Sequence, residues 1–461
     1  MLNIGEIEKA TNGKIINGDS LYIPKNYEVN SKLIGKDDFF IPIVGEKVDG
    51  HSFIIESVLK GCNAFFIEKE NKERLKIIQK AKEINSDVCI IEVENSKKAL
   101  YDAGKYNRQK HIDIPVVAIT GSVGKTSTRE MIASILEKEK KVLTTQKNYN
   151  SYIGIPMMVL KMEDQDVCVF EVGIDHFGEM ELDAQLLKPD VVVMTMIGTA
   201  HIASFKTQEN IFKEKIKIRK YIKGMRKMVL NADDKFLEKV KTTTHYDVIN
   251  YTKKDSVNIV KDNISITYKT KIYGKENKVI INQIGNHNIL NSLCAIKVGE
   301  IFNISEKNIL KGVFEYKNFS RRLETKKIKN DIILIDDTYN ASFDSMMSGL
   351  ATIDEISTKR KIAVLGDMLE LGENAAKMHF KVGKLFEKYK FNYLIAVGKF
   401  SKEIVKGATN YIVKENIFWF EKNEDALNKI IEIMQSGDII YFKASNGMKF
   451  DTIIKKIEKD N

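Results

Sequence analysis

From Pro115 onward, short β-rich runs, VVAIT, KVLTT, VCVFEV and DVVVMT, alternate with stretches of helical character, the first beginning at about Thr126. That rhythm predicts βαβ units built around a mostly parallel sheet. Between Asp255 and Ile284 the apolar positions fall on every second residue instead, as in Ile264, Ile266 and Tyr268, with a turn at Tyr273-Gly274-Lys275. Period-two alternation predicts an antiparallel excursion. After Arg322 the βα rhythm restarts with DIILID, KIAVLG, YLIAVG and DIIYFK, which predicts a second, Rossmann-like doubly wound domain. Residues before His111 form a third unit, with apolar runs FFIPIVG and NAFFIEK around a DGHSF loop. The expected architecture is α/β in three domains, 1–110, 111–316 and 317–461, with the last linker near Lys317 to Arg322.

Length agrees with this division, because 461 residues exceed the ~250 to 300 at which a single core stops growing. With 43% hydrophobic and 30% charged residues the chain is an ordinary globular mixture. Its start, MLNIGEIEKA, carries Glu6 and Glu8 and does not read as a signal peptide, and no apolar run approaches the ~18 residues of a membrane span. Cys62, Cys89, Cys168 and Cys294 are far apart and form no CxxC pair, as expected of reduced core residues in a cytoplasmic protein. The net charge of +10 fits a polyanionic partner. Lysines are dispersed, however, and the densest basic run, Lys213 to Lys227, has no aromatic platform beyond Tyr221. Nucleic acid is therefore not the expected partner, and this run reads as a solvated helix face.

The strongest local signal is TGSVGKTS, Thr120 to Ser127, between an apolar strand and a helical stretch. Gly121, Ser122, Val123 and Gly124 bring backbone N–H groups to phosphate oxygens, the helix N-terminus adds positive potential, and Lys125 contacts the terminal phosphates. The hydroxyl of Thr126 or Ser127 suits magnesium. Only two residues separate the glycines, against four in the common phosphate loop, which disfavours a generic kinase or GTPase. The next apolar strand ends in Glu171, a carboxylate placed to bind a cation beside the loop, and DVVVMT runs into IGTAH, which brings His201 to the same rim.

TGSVGKTS, NYNSYIG, FEVGIDHFGEM, IGTAH, GNHNILNSL, DDTYNAS and LGDMLELG occur in the order seen in Mur ligases, and the chain resembles that family over nearly its whole length. The resemblance implies an ATP- and Mg²⁺-dependent amide ligase of peptidoglycan precursor synthesis. It would join D-alanyl-D-alanine to a UDP-linked muramoyl tripeptide through an acyl phosphate. It assigns Lys125 and Thr126 to ATP phosphates and metal, Glu171 and His201 to magnesium, and Lys215 to a carbamylated lysine, a modification that turns a cation into a metal-binding anion. His287, Asn288 and Asn291 resemble the adenine-binding element, where Asn286 or Asn288 would also serve as a helix cap. Arg322 resembles a linker arginine that reaches the γ-phosphate, with Arg321 as its rival. Asp337 and Tyr339 would face the nucleotide, Asn340 and Ser342 the incoming dipeptide, and Ser342 also suits an N-cap. Ser31, Lys32, Asn148, Asn150 and His176 are the corresponding contacts to the precursor. The same resemblance implies a monomer that binds small molecules only.

The chain departs from the family pattern at several positions. Asn30-Ser31-Lys32 stands for Asp-Ser/Thr-Arg, Met196 for asparagine, Ser151 for the second of two asparagines and Lys217 for glutamate. Phe343 stands for proline, and Lys443-Ala444-Ser445 for Lys-Gly-Ser. These departures bear on the substrate more than on the reaction. They leave open a relative that joins a different amine or carboxylate, and a phosphotransferase or a non-catalytic nucleotide-binding module are the readings outside the family.

Overall fold

The structure is a computed structural model that describes residues 1–461 apart from 46–47, 147–148, 262–264, 318–319, 357–359 and 461. Asn148 and Ile264 lie outside the described residues, as does part of the linker. Four sheets organise the chain.

The N-terminal sheet has five strands in the order Lys14–Asn17, Cys89–Val93, Ala64–Glu68, Phe39–Phe40 and Tyr27–Glu28, antiparallel only at its first pair. Of FFIPIVG only Phe39 and Phe40 form a strand, because Pro42 has no N–H to give to a ladder, and Val44 makes an isolated bridge to Asp49. The central sheet is parallel throughout. Its strands run Asp247–Tyr251, Lys227–Asn231, Val191–Met194, Val116–Thr120, Val167–Glu171 and Val142–Thr144. Every residue of Val116–Thr120 and Val167–Glu171 is buried, as strands covered by helices on both faces must be. The period-two segment forms a separate meander, Val257–Lys261, Ile266–Ile272 and Lys275–Ile281, that buries Ile266, Tyr268, Thr270 and Ile272 on one face.

The C-terminal sheet has the order Glu324–Lys327, Ile333–Asp336, Ile439–Lys443, Lys361–Gly366, Tyr393–Val397 and Ile417–Phe420, parallel except at its first pair. The sequence pattern predicts its four inner strands and passes over both edges. Glu324–Lys327 is ETKK, with no apolar residue to mark it. All four cysteines are buried and free. No helix among the described residues is long and apolar enough to cross a membrane.

The central and C-terminal domains meet through the helix Phe343–Asp354, which Ser342 and Ser345 start with a reciprocal capping box. Near its first turn, Asp344 Oδ2 accepts hydrogen bonds from Thr199 N (2.8 Å) and Thr199 Oγ1 (2.9 Å). At its far end Glu355 accepts from Asn286 Nδ2 (2.7 Å) and Lys261 Nζ (2.9 Å). Both ends of one helix thus clamp the second domain onto the first, and the cleft between them is closed.

Asp183, on the helix Glu179–Leu187, is 1% exposed, and neither carboxyl oxygen has a hydrogen-bond partner among the described residues. Burial, with Glu179 adding to it, holds its pKa well above the ordinary carboxylate value. A raised folded-state pKa means that the native state keeps a proton the unfolded chain releases. Stability is full below the unfolded value and declines as pH rises toward the folded one. Asp183→Asn is expected to raise Tm at neutral pH by about 2–4 °C. The gain should vanish near pH ~4, where the unfolded carboxyl also holds its proton. Thermal melts across pH check this, and a gain that does not shrink on acidification would contradict it.

Candidate active site

Gly121 and Gly124 hold the phosphate loop open with φ of +147° and +88°. A Cβ on Gly121 would lie 2.0 Å from Thr195 Oγ1, so the turn admits only glycine there. Gly124 starts the helix Lys125–Leu136, whose buried face packs Met131, Ile132, Ile135 and Leu136 into the core, fixing the helix N-terminus against the sheet. Lys125 Nζ folds back onto Gly121 O at 3.0 Å. Burial lowers its pKa and Arg322 lowers it further, with Glu171 opposing.

Glu171 is 4% exposed and fully engaged. It accepts from Thr126 Oγ1 (2.8 Å) and Arg129 Nη1 (3.4 Å) at Oε2 and from Asn150 Nδ2 (2.8 Å) at Oε1. Burial alone would raise its pKa, and Lys125, Arg129 and Thr126 together bring it below the usual carboxylate value. His201 follows its strand with a left-handed φ of +61°. Its Nδ1 lies 3.2 Å from Asp175 Oδ1 and 3.5 Å from Glu370 Oε2. Burial, then Lys125 and Lys215, push its pKa down to about 4, so the imidazole is neutral and able to ligate.

Lys215 overturns the reading of its segment as a solvated face. It ends the helix Gln208–Lys215, is 1% exposed, and makes no hydrogen bond or ion pair among the described residues. Burial, reinforced by Lys125, takes its pKa well below the ordinary lysine value and so disfavours the ammonium. Burial of Ile211 and Ile218 on the same segment turns this side of it inward.

Arg321 and Arg322 separate cleanly. Arg321 has a φ of +65° and turns its guanidinium to Thr338 Oγ1 (2.9 Å), Thr338 O (2.5 Å) and Asn446 Oδ1 (2.9 Å), all within its own domain. Arg322 instead lies 4.4 Å over the Tyr339 ring and reaches Thr126 Oγ1 at 3.4 Å, with Nε left without a partner. Arg322→Ala is therefore expected to lower turnover about 100-fold. Arg321→Ala should instead destabilise the domain by ~1–3 kcal/mol while turnover of the folded enzyme largely survives. Kinetics and thermal melts of the two variants check this, and an exchange of the two phenotypes would reverse the assignment.

Two cavities meet at the loop. One, of about 90 Å³, is lined by Ser122 to Thr126, His201, Arg322, Asn340, Ser342 and Glu370. The other, of about 230 Å³, lies between the loop, the helix His287–Ile301 and the helix Phe343–Asp354, with Ser127, His287, Asn291 and Asp337 on its walls. His287 Nδ1 is 3.4 Å from Ser348 Oγ, and burial pushes its pKa down to about 4. Asn291 Oδ1 accepts from Thr128 Oγ1 at 3.1 Å.

Asn288 does not reach that cavity. It is fully buried, donates to Ile284 O (2.8 Å) and accepts from Asn291 Nδ2 (3.3 Å), so it positions Asn291 from behind. Neither Asn288 nor Asn286 caps the helix, because Asn286 is turned to Glu355 in the other domain. Asp337 lies on the cavity wall, but Lys443 Nζ (2.6 Å) and Tyr441 OH (3.0 Å) both donate to its Oδ2. Tyr339 joins the site as the platform under Arg322.

The remaining residues are dispersed. Ser31 and exposed Lys32 lie on a turn of the N-terminal domain held by Asn30 Oδ1, and neither lines the two cavities. His176 is exposed and its N–H donates to Glu179 Oε2 at 3.0 Å. Sequence reasoning missed Thr195, Asn231 and Tyr251 on the larger cavity, none of which carries a local signal, and met Lys443 only as part of Lys443-Ala444-Ser445.

Most departures from the family pattern have a physical account here. Ala444 is fully buried against Gly366, where a Cβ would lie 2.7 Å from its methyl, so the missing side chain at 366 makes room. Lys217 pairs with Glu214 at 2.7 Å, Phe343 packs against the core at the first helical position, and Met196 forms part of the larger cavity's wall.

The pattern of relatives agrees with this geometry. Residues 119–299 match the model of the Mur ligase middle domain, and residues 321–446 that of the Mur ligase glutamate ligase domain. The UDP-N-acetylmuramoyl-tripeptide–D-alanyl-D-alanine ligase of Bacillus subtilis is 30% identical over 93% of this chain and 92% of its own length. The ligase of the same name from Borreliella burgdorferi is 29% identical over 98% and 95%. Among solved structures, MurF from Acinetobacter baumannii superposes with a TM-score of 0.85 at 24% identity, covering 99% of each chain. MurF ligase from Thermotoga maritima in complex with ADP gives 0.79 at 24% identity, covering 94% of this chain and 97% of that one.

Proposed function

Because the chain belongs to the Mur ligase family, we propose that it is an ATP-dependent ligase adding D-alanyl-D-alanine to a UDP-N-acetylmuramoyl tripeptide in the cytoplasm. One observation carries this reading: the phosphate loop of one domain and Arg322, Asn340 and Ser342 of the other line a single cavity. We place the domains at 1–110 for the UDP-linked precursor, 111–316 for ATP and 317–461 for the incoming amine. We take the protein to act as a monomer.

Joining a carboxylate to an amine in water is uphill, and activation must come first. An oxygen of the tripeptide's terminal carboxylate attacks the γ-phosphorus, the bond to the bridging oxygen of ADP breaks, and an acyl phosphate forms. The unprotonated dipeptide amine then attacks the carbonyl carbon and forms the C–N bond, the C–O bond to phosphate breaks, and inorganic phosphate leaves with the proton that the nitrogen gives up. Lys125 and Arg322 hold and neutralise the transferred phosphoryl group from opposite sides. His287 and Asn291 face the base, while the closed helix Phe343–Asp354 keeps water from the acyl phosphate.

The donor set fits magnesium. Thr126 and Glu171 stand 2.8 Å apart, and His201 is neutral. Bound there, magnesium would screen the anions crowded at the γ-phosphate. Lys215 would take part as a carbamate, which its burial as an unpaired amine favours. The free amine adds to carbon dioxide with loss of one proton, and the resulting anion is a hard oxygen ligand.

ADP release measured with the tripeptide precursor and a panel of dipeptides and amino acids tests the assignment. Strong preference for D-alanyl-D-alanine is expected. Preference for another amine would make the chain a family member of different specificity.

A further inference from the structure

The cavity around the phosphate loop carries two basic side chains, Lys125 and Arg322, on its walls. An incoming amine arrives as an ammonium and would be repelled by this field unless a carboxylate receives it. Among the described residues lining that cavity, Glu370 is the only carboxylate.

Its placement is fixed by the chain around it. Glu370 lies in the loop that leaves the strand Lys361–Gly366 at the carboxyl end of the C-terminal sheet, where ligands of doubly wound folds bind. Met368 N donates to His379 Nε2 (2.9 Å) and Leu369 N to Ser445 Oγ (2.9 Å), while Met368 and Leu371 are buried on either side. Between these anchors Glu370 adopts a left-handed φ of +65°, which a non-glycine residue holds only when its surroundings impose it. The side chain is thereby carried across the cleft to 3.5 Å from His201 Nδ1, yet is 68% exposed and accepts no hydrogen bond among the described residues. Beyond it the loop abuts the central domain, with Gly372 against Ala203. An open carboxylate, in contact with the His201 imidazole, is thus held beside the phosphate loop by the domain that would deliver the amine.

We propose that Glu370 binds the ammonium of the incoming dipeptide and, once that group has given one proton to the solvent that reaches this exposed carboxylate, orients the freed amine toward the acyl phosphate. The role rests on the ligase reading above. It assigns Glu370 to the amine alone, since ATP is held by Lys125, Arg322 and the loop amides.

Kinetics of Glu370→Gln and Glu370→Asp in the full-length enzyme test this, with D-alanyl-D-alanine and with hydroxylamine as alternative nucleophiles. Hydroxylamine is largely uncharged at neutral pH and needs no carboxylate to receive it. Glu370→Gln should raise KM for the dipeptide about 10- to 100-fold, the loss of one charge-assisted hydrogen bond. KM for ATP and hydroxamate formation should stay at the wild-type level. Glu370→Asp should fall between the two. An unchanged dipeptide KM in Glu370→Gln, or an equal loss with hydroxylamine, would overturn the role. If the wild-type enzyme forms no hydroxamate at all, the ligase reading itself fails and the role falls with it.

Discussion

Lys125→Ala is expected to reduce ADP release that depends on both the tripeptide and the dipeptide by about 1,000-fold or more. The helix Lys125–Leu136 should survive, because its packing rests on Met131, Ile132, Ile135 and Leu136 rather than on Lys125. In the closed cleft Lys125 folds onto Gly121 O, and a triphosphate would draw the ammonium outward to its terminal oxygens. Its lowered pKa marks a cation held at a cost in a half-buried site, and an anionic ligand would favour the charged form. Steady-state assays of the purified variant, with its melting temperature as control, check this. Turnover near wild type would refute the phosphate-loop assignment.

Lys215→Ala should also lower turnover by about 1,000-fold, and short-chain carboxylic acids should restore part of it. The physical basis is that removing a buried amine with no hydrogen-bond partner among the described residues relieves its desolvation cost, which offsets the packing lost with its methylenes. Thermal stability is therefore expected to hold or rise while activity falls, the opposite of what a structural lysine would give. Added carboxylate would stand in for the carbamate oxygens. Full activity of Lys215→Ala without additives would remove the carbamate from the site.

How far these features were legible depended on whether local sequence carried the physics. Strands Val116–Thr120 and Val167–Glu171 are readable because helices cover both faces, and every position is then apolar or nearly so. The phosphate loop is readable because two glycines and a lysine at fixed spacing have few other uses. The edge strand Glu324–Lys327 is not, since one partner strand and open solvent impose no pattern on ETKK. Lys215 reads as one basic residue among many, because its burial is imposed from outside the helix. Arg321 and Arg322 are equivalent in sequence, and a left-handed turn at the first decides which of them faces the loop. Asn288 shares the motif of Asn291, yet the helical rotation between them turns only Asn291 to the cavity. Glu370 is in the same position, since its role depends on a strained loop and a second domain.

The central claim is that a carboxylate is activated by accepting the γ-phosphoryl group of ATP. The direct measurement uses tripeptide precursor labelled with ¹⁸O in its terminal carboxylate, followed by mass analysis of the phosphate released during turnover with D-alanyl-D-alanine. Passage through an acyl phosphate predicts that each phosphate carries one oxygen from the carboxylate. Phosphate free of label, released at the rate of peptide formation, would contradict the account.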